Sequence, residues 1–521
     1  MIETDVLIVG AGPAGLATAI SLKRRGFAGR VVVLDKGRSV GSHVLSGAVI
    51  DPSGFQGLLT DEEIAKLPVE AHVHSESFRF ILGAGLSVKI PWVPPMMRAK
   101  GFPVGSLTKI VQHLAKIATG LGVEIHTGYA VTELIERDGA VVGARTGAKG
   151  IDSLGRPKSN YLAPEEIAAK ATVLAEGGAG ILTDRLIAAH GLEGRRPQSY
   201  AIGVKELIEL SEPVRGSGGT IMHTFGYPVD MKTYGGGFVY HVDDGHVMVG
   251  YALGLDYADA SIDVHDLFCR YKATKAVQAH IAGGKPVAYG AKMIPEGGYY
   301  ALPRPVFPGV MVVGDGAGLL DGLRIKGVHI AIQSGIAAAE AIVTGGDYEK
   351  LLKATKGYAE VRRVRNVHGG FTYGAPFGVA MAGLAWATFG RLPFWMFGKK
   401  HKDSETLVQP LNPSTSQPLN LSTVNQPDRL TDVFMSGTLH EENQPCHLKL
   451  VDAKRCEACE AKFGSPCTRF CPAEVYCRDE GGLRIDFSNC LHCKTCRMKC
   501  PYENIDWTFP QGGDGPRYTR L

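Results

Sequence analysis

The 521-residue chain balances 56 Lys+Arg against 52 Asp+Glu, a formal net charge of +4, with 45% hydrophobic and 21% charged residues. That composition excludes a disordered chain, a polytopic membrane protein and nucleic acid as the main partner. The length predicts about three domains at roughly 100–200 residues each, and 67 glycines predict many tight turns and close approaches of backbone to ligand.

The first element is legible at once. Residues 4–35 read TDVLIVGAGPAGLATAISLKRRGFAGRVVVLD, a β-branched strand, a glycine turn, a helix and a second strand ending in an acid. Residues 4–9 therefore read as a strand, not a signal peptide. In the turn, Gly10 permits the sharp bend, Gly12 lets backbone approach a pyrophosphate and Gly15 lets helix and strand pack closely; Ala14 completes the motif. The phosphates sit at the helix N-terminus, and Asp35, twenty residues past Gly15, accepts from the ribose hydroxyls. Residues 310–318, VMVVGDGAG, form another short strand ending at Gly314-Asp315. That pair resembles the Gly-Asp of glutathione-reductase-type flavoproteins, in which the Asp holds the ribityl chain. It makes FAD, not NAD, the expected dinucleotide. A helical pattern from about residue 325 would aim its N-terminal dipole at the flavin.

Between these two signals, residues 200–300 show period-two alternation at 238–242 and 246–249, which predicts an antiparallel sheet inserted into the nucleotide-binding unit. Residues 369–390 carry no charge and are long enough, at about 20 residues, to span a bilayer, but they hold several glycines and a proline. With Trp386, Phe394, Trp395 and Phe397 as interfacial aromatics and the basic run Lys399, Lys400, His401 and Lys402 for anionic lipid, they predict monotopic attachment. Residues 403–429 are rich in Ser, Thr, Asn and Pro and read as a linker.

Ten of the eleven cysteines lie between Cys446 and Cys500, which points to metal in a reducing compartment, not to disulfides. Cys269 stands apart as a buried apolar thiol. Cys490-x-x-Cys493-x-x-Cys496-x-x-x-Cys500-Pro501 has bacterial ferredoxin spacing. Upstream lie Cys456-x-x-Cys459 and Cys467-x-x-x-Cys471-Pro472. Because a Cys-Pro cysteine serves the opposite cluster, Cys471 completes Cys490, Cys493 and Cys496 around one 4Fe-4S cluster. Cys500 could complete Cys456, Cys459 and Cys467 around a second, although seven residues, not two, separate Cys459 from Cys467. Cys446 and Cys477 have no place in this scheme.

The fold class that follows is α/β: a Rossmann-type FAD domain (1–200 and 300–368) with an inserted β-rich subdomain (201–299), an apolar membrane-associating segment (369–402), the linker (403–429) and a ferredoxin-like 4Fe-4S domain (430–521). With stretches such as GSHVLSGAVIDP, TYGGGFVYHV, GGKPVAYGAKMIPEGGYYALP, SGTLHEENQPCHLKL and NCLHCKTC, the chain resembles the electron transfer flavoprotein–ubiquinone oxidoreductase family over nearly its whole length. The resemblance implies an enzyme of the inner or cytoplasmic membrane, peripheral or monotopic and facing the reducing compartment. It would take electrons from reduced electron transfer flavoprotein and pass them through a 4Fe-4S cluster and FAD to ubiquinone or another quinone. It implies the same four ligands, Cys471, Cys490, Cys493 and Cys496, and maps the quinone-contacting glycines onto Gly235 and Gly236. A second candidate for membrane contact, by the same resemblance, is the loop 44–59. The extra cysteines also resemble the ferredoxin-like subunit of electron-bifurcating flavoprotein complexes, so the alternative function is an electron-relay subunit of such a complex. A prenyl-reductase-like flavoenzyme would share the FAD pattern but gives no reason for the cysteine module.

Overall fold

The structure, a computed structural model, describes residues 2–391, 400–409 and 427–521. Phe394, Trp395, Phe397 and Lys399 lie outside the described residues, as does most of the segment read as a linker.

Among the described residues, the nucleotide-binding unit is built on a sheet of eight strands. Its central strand, Ile2–Val9, buries Val6, Leu7 and Ile8 almost completely, each worth about 1.5–3 kcal/mol relative to exposure. It pairs in parallel with Val31–Asp35 on one side and Glu166–Leu174 on the other. Glu124–Thr127 and Val310–Val312 extend the parallel layer outward, while Val131–Arg137 and Ala140–Thr146 form a hairpin on its flank. The chain leaves the central strand to opposite sides, so a crevice opens at the strands' carboxyl ends. The helix Pro13–Arg24 starts there, with Pro at its first position and Lys23 and Arg24 in its last turn, both favourable placements. It packs against the long helix Val328–Thr344. The approach is close enough that a Cβ on Gly335 would lie 2.3 Å from the Ala14 carbonyl oxygen.

The second sheet has seven strands in the order Lys285–Pro295, Tyr200–Glu209, His246–Gly254, Gly235–His241, Thr220–Gly226, Ser75–Gly83 and Leu86–Lys89. It departs from the sequence reading in two ways. It is not confined to 201–299, because the strands at 75–89 belong to it. Nor is it purely antiparallel, because Ser75–Gly83 pairs in parallel with Thr220–Gly226. Period-two alternation reports a half-buried strand but not the direction of its neighbour, so neither feature was readable.

Among the described residues, the cysteine-rich module has two small ribbons, Leu448–Leu450 with Ile505–Trp507 and Tyr476–Asp479 with Gly482–Ile485, and four α-helices, Arg429–Met435, Ala453–Phe463, Cys467–Phe470 and Thr495–Lys499. Its core merges with that of the second sheet, and the Tyr289 hydroxyl donates to the Pro472 carbonyl at 2.8 Å. The C-terminal tail binds it to the nucleotide unit: the Gly513 N–H donates to the Lys36 carbonyl, and the Ser106 and Thr108 hydroxyls donate to that of Leu521. The start of the expected linker is also structural. The Asp403 carboxylate is buried and accepts from the Ser199 hydroxyl at 2.9 Å and the Tyr200 N–H at 2.8 Å, so residues 403–408 pack on the body of the protein.

Candidate functional site

One cavity of about 860 Å³ runs through the molecule. It begins at the glycine turn, passes the cysteine module and ends under an exposed apolar helix.

At the first end, the glycines divide the work as the motif requires. Gly10 has φ +110°, and a Cβ there would lie 2.3 Å from the Ala175 carbonyl oxygen. A Cβ on Gly15 would lie 2.0 Å from the Gly10 oxygen, which is the close helix–strand contact. At Gly12 a Cβ would meet nothing within 4 Å: its open side faces the cavity, leaving room for a pyrophosphate. Asp35 lines the cavity, its carboxylate fixed by the Ala11 N–H at 2.9 Å and the Gly37 N–H at 2.7 Å. Gly314 takes φ +63°, donates to the Ser334 hydroxyl at 2.9 Å and sits against the Ala14 methyl. Asp315 faces the cavity, and burial pushes its carboxyl up to about 6 against the pull of Lys292, as suits a group waiting for hydroxyl donors. The helix expected from residue 325 begins at Val328, because Ile325 sits at φ +52° outside helical space. No side chain caps its first turn, and Gly327 and Val328 line the cavity. The residues fit FAD: an open glycine turn for the phosphates, two placed acids for hydroxyls and a bare helix N-terminus for the ring.

The four cysteines that the spacing selects sit at the ends of, or beside, two short helices. Cys471, Cys490, Cys493 and Cys496 are all at least nine-tenths buried. Burial raises each thiol, and in Cys471, Cys490 and Cys496 the neighbouring thiols of this set raise it further. Four thiols crowded in a dry site are costly to ionise unless a cation shares their charge. Donors already aim at the sulfurs. The His492 N–H reaches Cys490 Sγ and the Thr495 hydroxyl reaches Cys493 Sγ, both at 3.4 Å. Non-glycine residues His492 and Lys494 adopt left-handed conformations to wrap the loop. The set fits a 4Fe-4S cluster. His447, Cys490 and His492 also offer donor atoms within 4.8 Å of one another, but Cys490 belongs to the quartet, so the two rings are neighbours of its sulfur.

Between quartet and cavity lies a group that sequence reading missed. Trp507 is buried, with the Lys36 and Lys494 ammonium groups over its ring at 5.2 and 5.6 Å. Lys292 donates to the His43 carbonyl at 3.2 Å. Burial lowers all three lysines, and like-charge repulsion lowers Lys36 and Lys494 further. Three lysines converging on one wall, Lys494 buried and Lys36 and Lys292 half-buried, suit anionic occupants, a pyrophosphate on one side and a thiolate-bound cluster on the other. The only advance signal was Lys292 breaking the apolar alternation of VAYGAKMIP. His43 lines the cavity and meets His492. His329 lines the cavity too, and its Nε2 pairs with Glu360 at 2.9 Å.

At the far end, Gly235 and Gly236 line the cavity at the start of their strand. Their bare faces are not open, however. A Cβ on Gly236 would lie 2.8 Å from the Thr224 carbonyl oxygen, and one on neighbouring Gly237 would enter the Tyr271 ring. Strand packing alone therefore demands small residues here. Tyr234 meets the Phe371 ring at a tilt, with centroids 5.0 Å apart, and its hydroxyl donates to the Gly322 carbonyl. Glu296 lies beside it, buried, lining the cavity, with Oε2 unpartnered among the described residues. Burial and the negative Asp321 and Asp256 hold its carboxyl well above the usual range.

The uncharged stretch is not one helix. It breaks at Gly374, φ +100°, into Val367–Phe371 and Ala375–Ala387, and no described helix is long and apolar enough to cross a membrane. The second piece is apolar all round yet exposed on one side: Val379 is 53% and Trp386 44% exposed, flanked by Tyr373 at 67% and Phe389 at 73%. The same face borders the cavity mouth at Val379, Gly383 and Trp386, with the buried Ala382 beside them. The loop 44–59, also expected at the membrane, is mixed: Ile50, Phe55 and Leu58 are at most 1% exposed, residues 44–47 line the cavity, and Gln56 and Gly57 are exposed.

Three sequence families match the chain: an NAD(P)-binding Rossmann-like domain over residues 8–75, the ubiquinone-binding region of ETF-QO over 200–294, and the 4Fe-4S region of electron transfer flavoprotein-ubiquinone oxidoreductase over 424–519. The chain is 38% identical to the electron transfer flavoprotein-ubiquinone oxidoreductase of Pseudomonas aeruginosa, covering 100% of this chain and 99% of that one. It is 36% identical to the mitochondrial proteins of that name from Oryza sativa, over 99% of this chain and 92% of that one, and Mus musculus, over 100% and 89%. Among solved structures, a geranylgeranyl bacteriochlorophyll reductase-like protein from Thermoplasma acidophilum has TM-score 0.53 at 18% identity, covering 74% of this chain and 88% of that one. A flavin-dependent brominase has TM-score 0.52 at 18% identity, covering 75% and 94%. At that identity both show a shared flavoprotein fold alone.

Proposed function

The chain belongs to the electron transfer flavoprotein–ubiquinone oxidoreductase family, and we propose how its residues carry electrons from reduced electron transfer flavoprotein to ubiquinone. The observation that carries the reading is the single cavity that joins the glycine turn, the wall beside the cysteine quartet and the underside of an exposed apolar helix.

When bound, the cluster passes single electrons and FAD gathers them in pairs. Cys471, Cys490, Cys493 and Cys496 hold the cluster. Gly10, Gly12, Ala14 and Gly15 shape the phosphate turn, Asp35 and Asp315 accept from hydroxyls, and Gly314 fits the cofactor against the first helix. Lys36, Lys292 and Lys494 balance negative charge on both sides of the wall and keep the path between them dry with Trp507. At the far end, Tyr234, Gly235 and Gly236 form one side of an apolar slot for the quinone ring. Reducing a quinone to a quinol takes up two protons, and Glu296 holds one at Oε2 beside that slot.

The exposed side of Ala375–Ala387, with Tyr373 and Phe389, rests in the lipid surface, so a hydrophobic quinone enters the slot from below without crossing water. Attachment is peripheral or monotopic, at an inner or cytoplasmic membrane facing the reducing compartment. Photolabelling the membrane-bound holoenzyme with an azido-ubiquinone tests the placement. Label in the peptides carrying Tyr234–Gly236 and the helix Ala375–Ala387 is expected; label confined to peptides outside the cavity would overturn it.

A further inference from the structure

Seven cysteines remain after the quartet is assigned, and four of them come together as well. Cys456, Cys459, Cys467 and Cys500 line a second cavity of about 20 Å³, walled otherwise by apolar groups such as Phe470, Leu483 and Ile505. That is more than the ~10–15 Å³ one water needs. Cys459, Cys467 and Cys500 are over nine-tenths buried, and Cys456 is partly exposed. The insertion that weakened the spacing argument is absorbed locally. The helix Ala453–Phe463 carries Cys456 and Cys459 and ends at Gly464 in a left-handed cap, and a short turn then delivers Cys467 to the same cavity.

The two sets are arranged alike. Two short helices each serve both. Cys467 opens the helix Cys467–Phe470 and Cys471 follows its end; Cys496 lies in the helix Thr495–Lys499 and Cys500 follows its end. Each helix thus gives one thiol to each set, separated by roughly one turn, about 6 Å along the axis. Polar donors meet the second set's sulfurs as they meet the first's. The Asn504 N–H reaches Cys500 Sγ at 3.3 Å and the Asn504 side-chain amide reaches Cys456 Sγ at 3.1 Å. A single tetrahedral zinc, with Zn–S near 2.3 Å, needs thiols about 3.8 Å apart. Among the described residues, no three of these four sulfurs lie within 4.8 Å of one another. No three sulfurs of the first set lie that close among the described residues either, so the two sets are alike in being more open than a single ion requires.

We propose that Cys456, Cys459, Cys467 and Cys500 bind a second 4Fe-4S cluster. It lies on the side of the module where Cys456 reaches the surface, linked to the first cluster through the two shared helices. It acts as a one-electron carrier: it gains one electron from the reduced flavoprotein and loses that electron as the first cluster is reduced, with no proton moved and no bond formed or broken.

Iron, acid-labile sulfide and zinc per FAD, measured on the full-length chain purified without oxygen, test the assignment. About eight iron and eight sulfide per FAD are expected if both clusters form, and about four of each if only the first does. Cys459→Ser and Cys500→Ser should each halve the iron and leave the FAD content and the first cluster's paramagnetic signal in place, while Cys493→Ser should remove the other half. Four iron per FAD in the unmodified chain, or four iron with one zinc, would overturn the proposal whether or not the variants fold. So would Cys459→Ser with its iron unchanged. None of these results bears on the first cluster, which the Cys493→Ser arm tests separately.

Discussion

His43 and His492 meet edge to face with ring centroids 5.2 Å apart. His43 comes from the loop after the second strand and lines the flavin end of the cavity; His492 lies between Cys490 and Cys493. The contact spans the boundary between the two redox sites, and burial keeps both rings neutral. The charge at this boundary therefore belongs to the lysines.

Lys292 sets that charge. Removing a cation makes adding an electron nearby less favourable. Lys292→Met should lower the reduction potential of the flavin, the cluster or both by tens of millivolts, with unchanged iron and flavin content. A redox titration followed by flavin absorbance and cluster paramagnetism checks this; potentials that rise would contradict it.

Flavin binding should depend on pH through Asp315. In the empty site burial holds its carboxyl at about 6. Hydroxyl donors from the bound cofactor favour the carboxylate and lower it. The bound state then carries fewer protons, so affinity rises with pH up to about 6 and levels off above it. Asp315→Asn should bind more weakly at neutral pH and lose the slope. Kd measured by flavin fluorescence from pH 5 to 8 gives both results.

Much of this was legible in the sequence, for physical reasons. Gly10, Gly12 and Gly15 answer separate steric demands, so their spacing encodes geometry. The ferredoxin spacing encodes ligand distance in the same way, and Cys456, Cys459, Cys467 and Cys500 line one small cavity in the fold. Gly235 and Gly236 were harder to read, because a glycine forced by a neighbouring carbonyl looks the same in sequence as one forced by a ligand. Trp507, Lys36 and Lys494 were not legible, since their meeting depends on how the module docks. The membrane segment was legible in composition but not in form: hydropathy does not reveal the break at Gly374.

The far end of the cavity is best tested away from those glycines. A Cβ on Gly383 would meet nothing within 4 Å, so Gly383→Phe should fold and fill the mouth. Quinone turnover should fall at least about tenfold, while flavin reduction by electron transfer flavoprotein is unchanged. Gly236→Leu should instead lose stability, because of the Thr224 carbonyl. Glu296→Gln keeps the shape of the side chain but cannot release a proton. It should slow quinol formation by on the order of 10²-fold and leave electron uptake intact.

Lipid binding should follow the exposed side of Ala375–Ala387. Val379 and Tyr373 each contribute about 1.5–3 kcal/mol if fully buried in lipid. Replacing both by Asp should weaken partitioning into phospholipid vesicles by on the order of 10²-fold, with flavin and iron retained. Sedimentation with vesicles reads the change.

The most direct test is a single anaerobic experiment on the purified holoenzyme. Adding reduced electron transfer flavoprotein should bleach the bound flavin, and adding a short-chain ubiquinone should restore its colour, with one quinol formed for each two electrons delivered. A flavin that bleaches and stays bleached in the presence of ubiquinone, with both cofactors at full occupancy, would contradict the account.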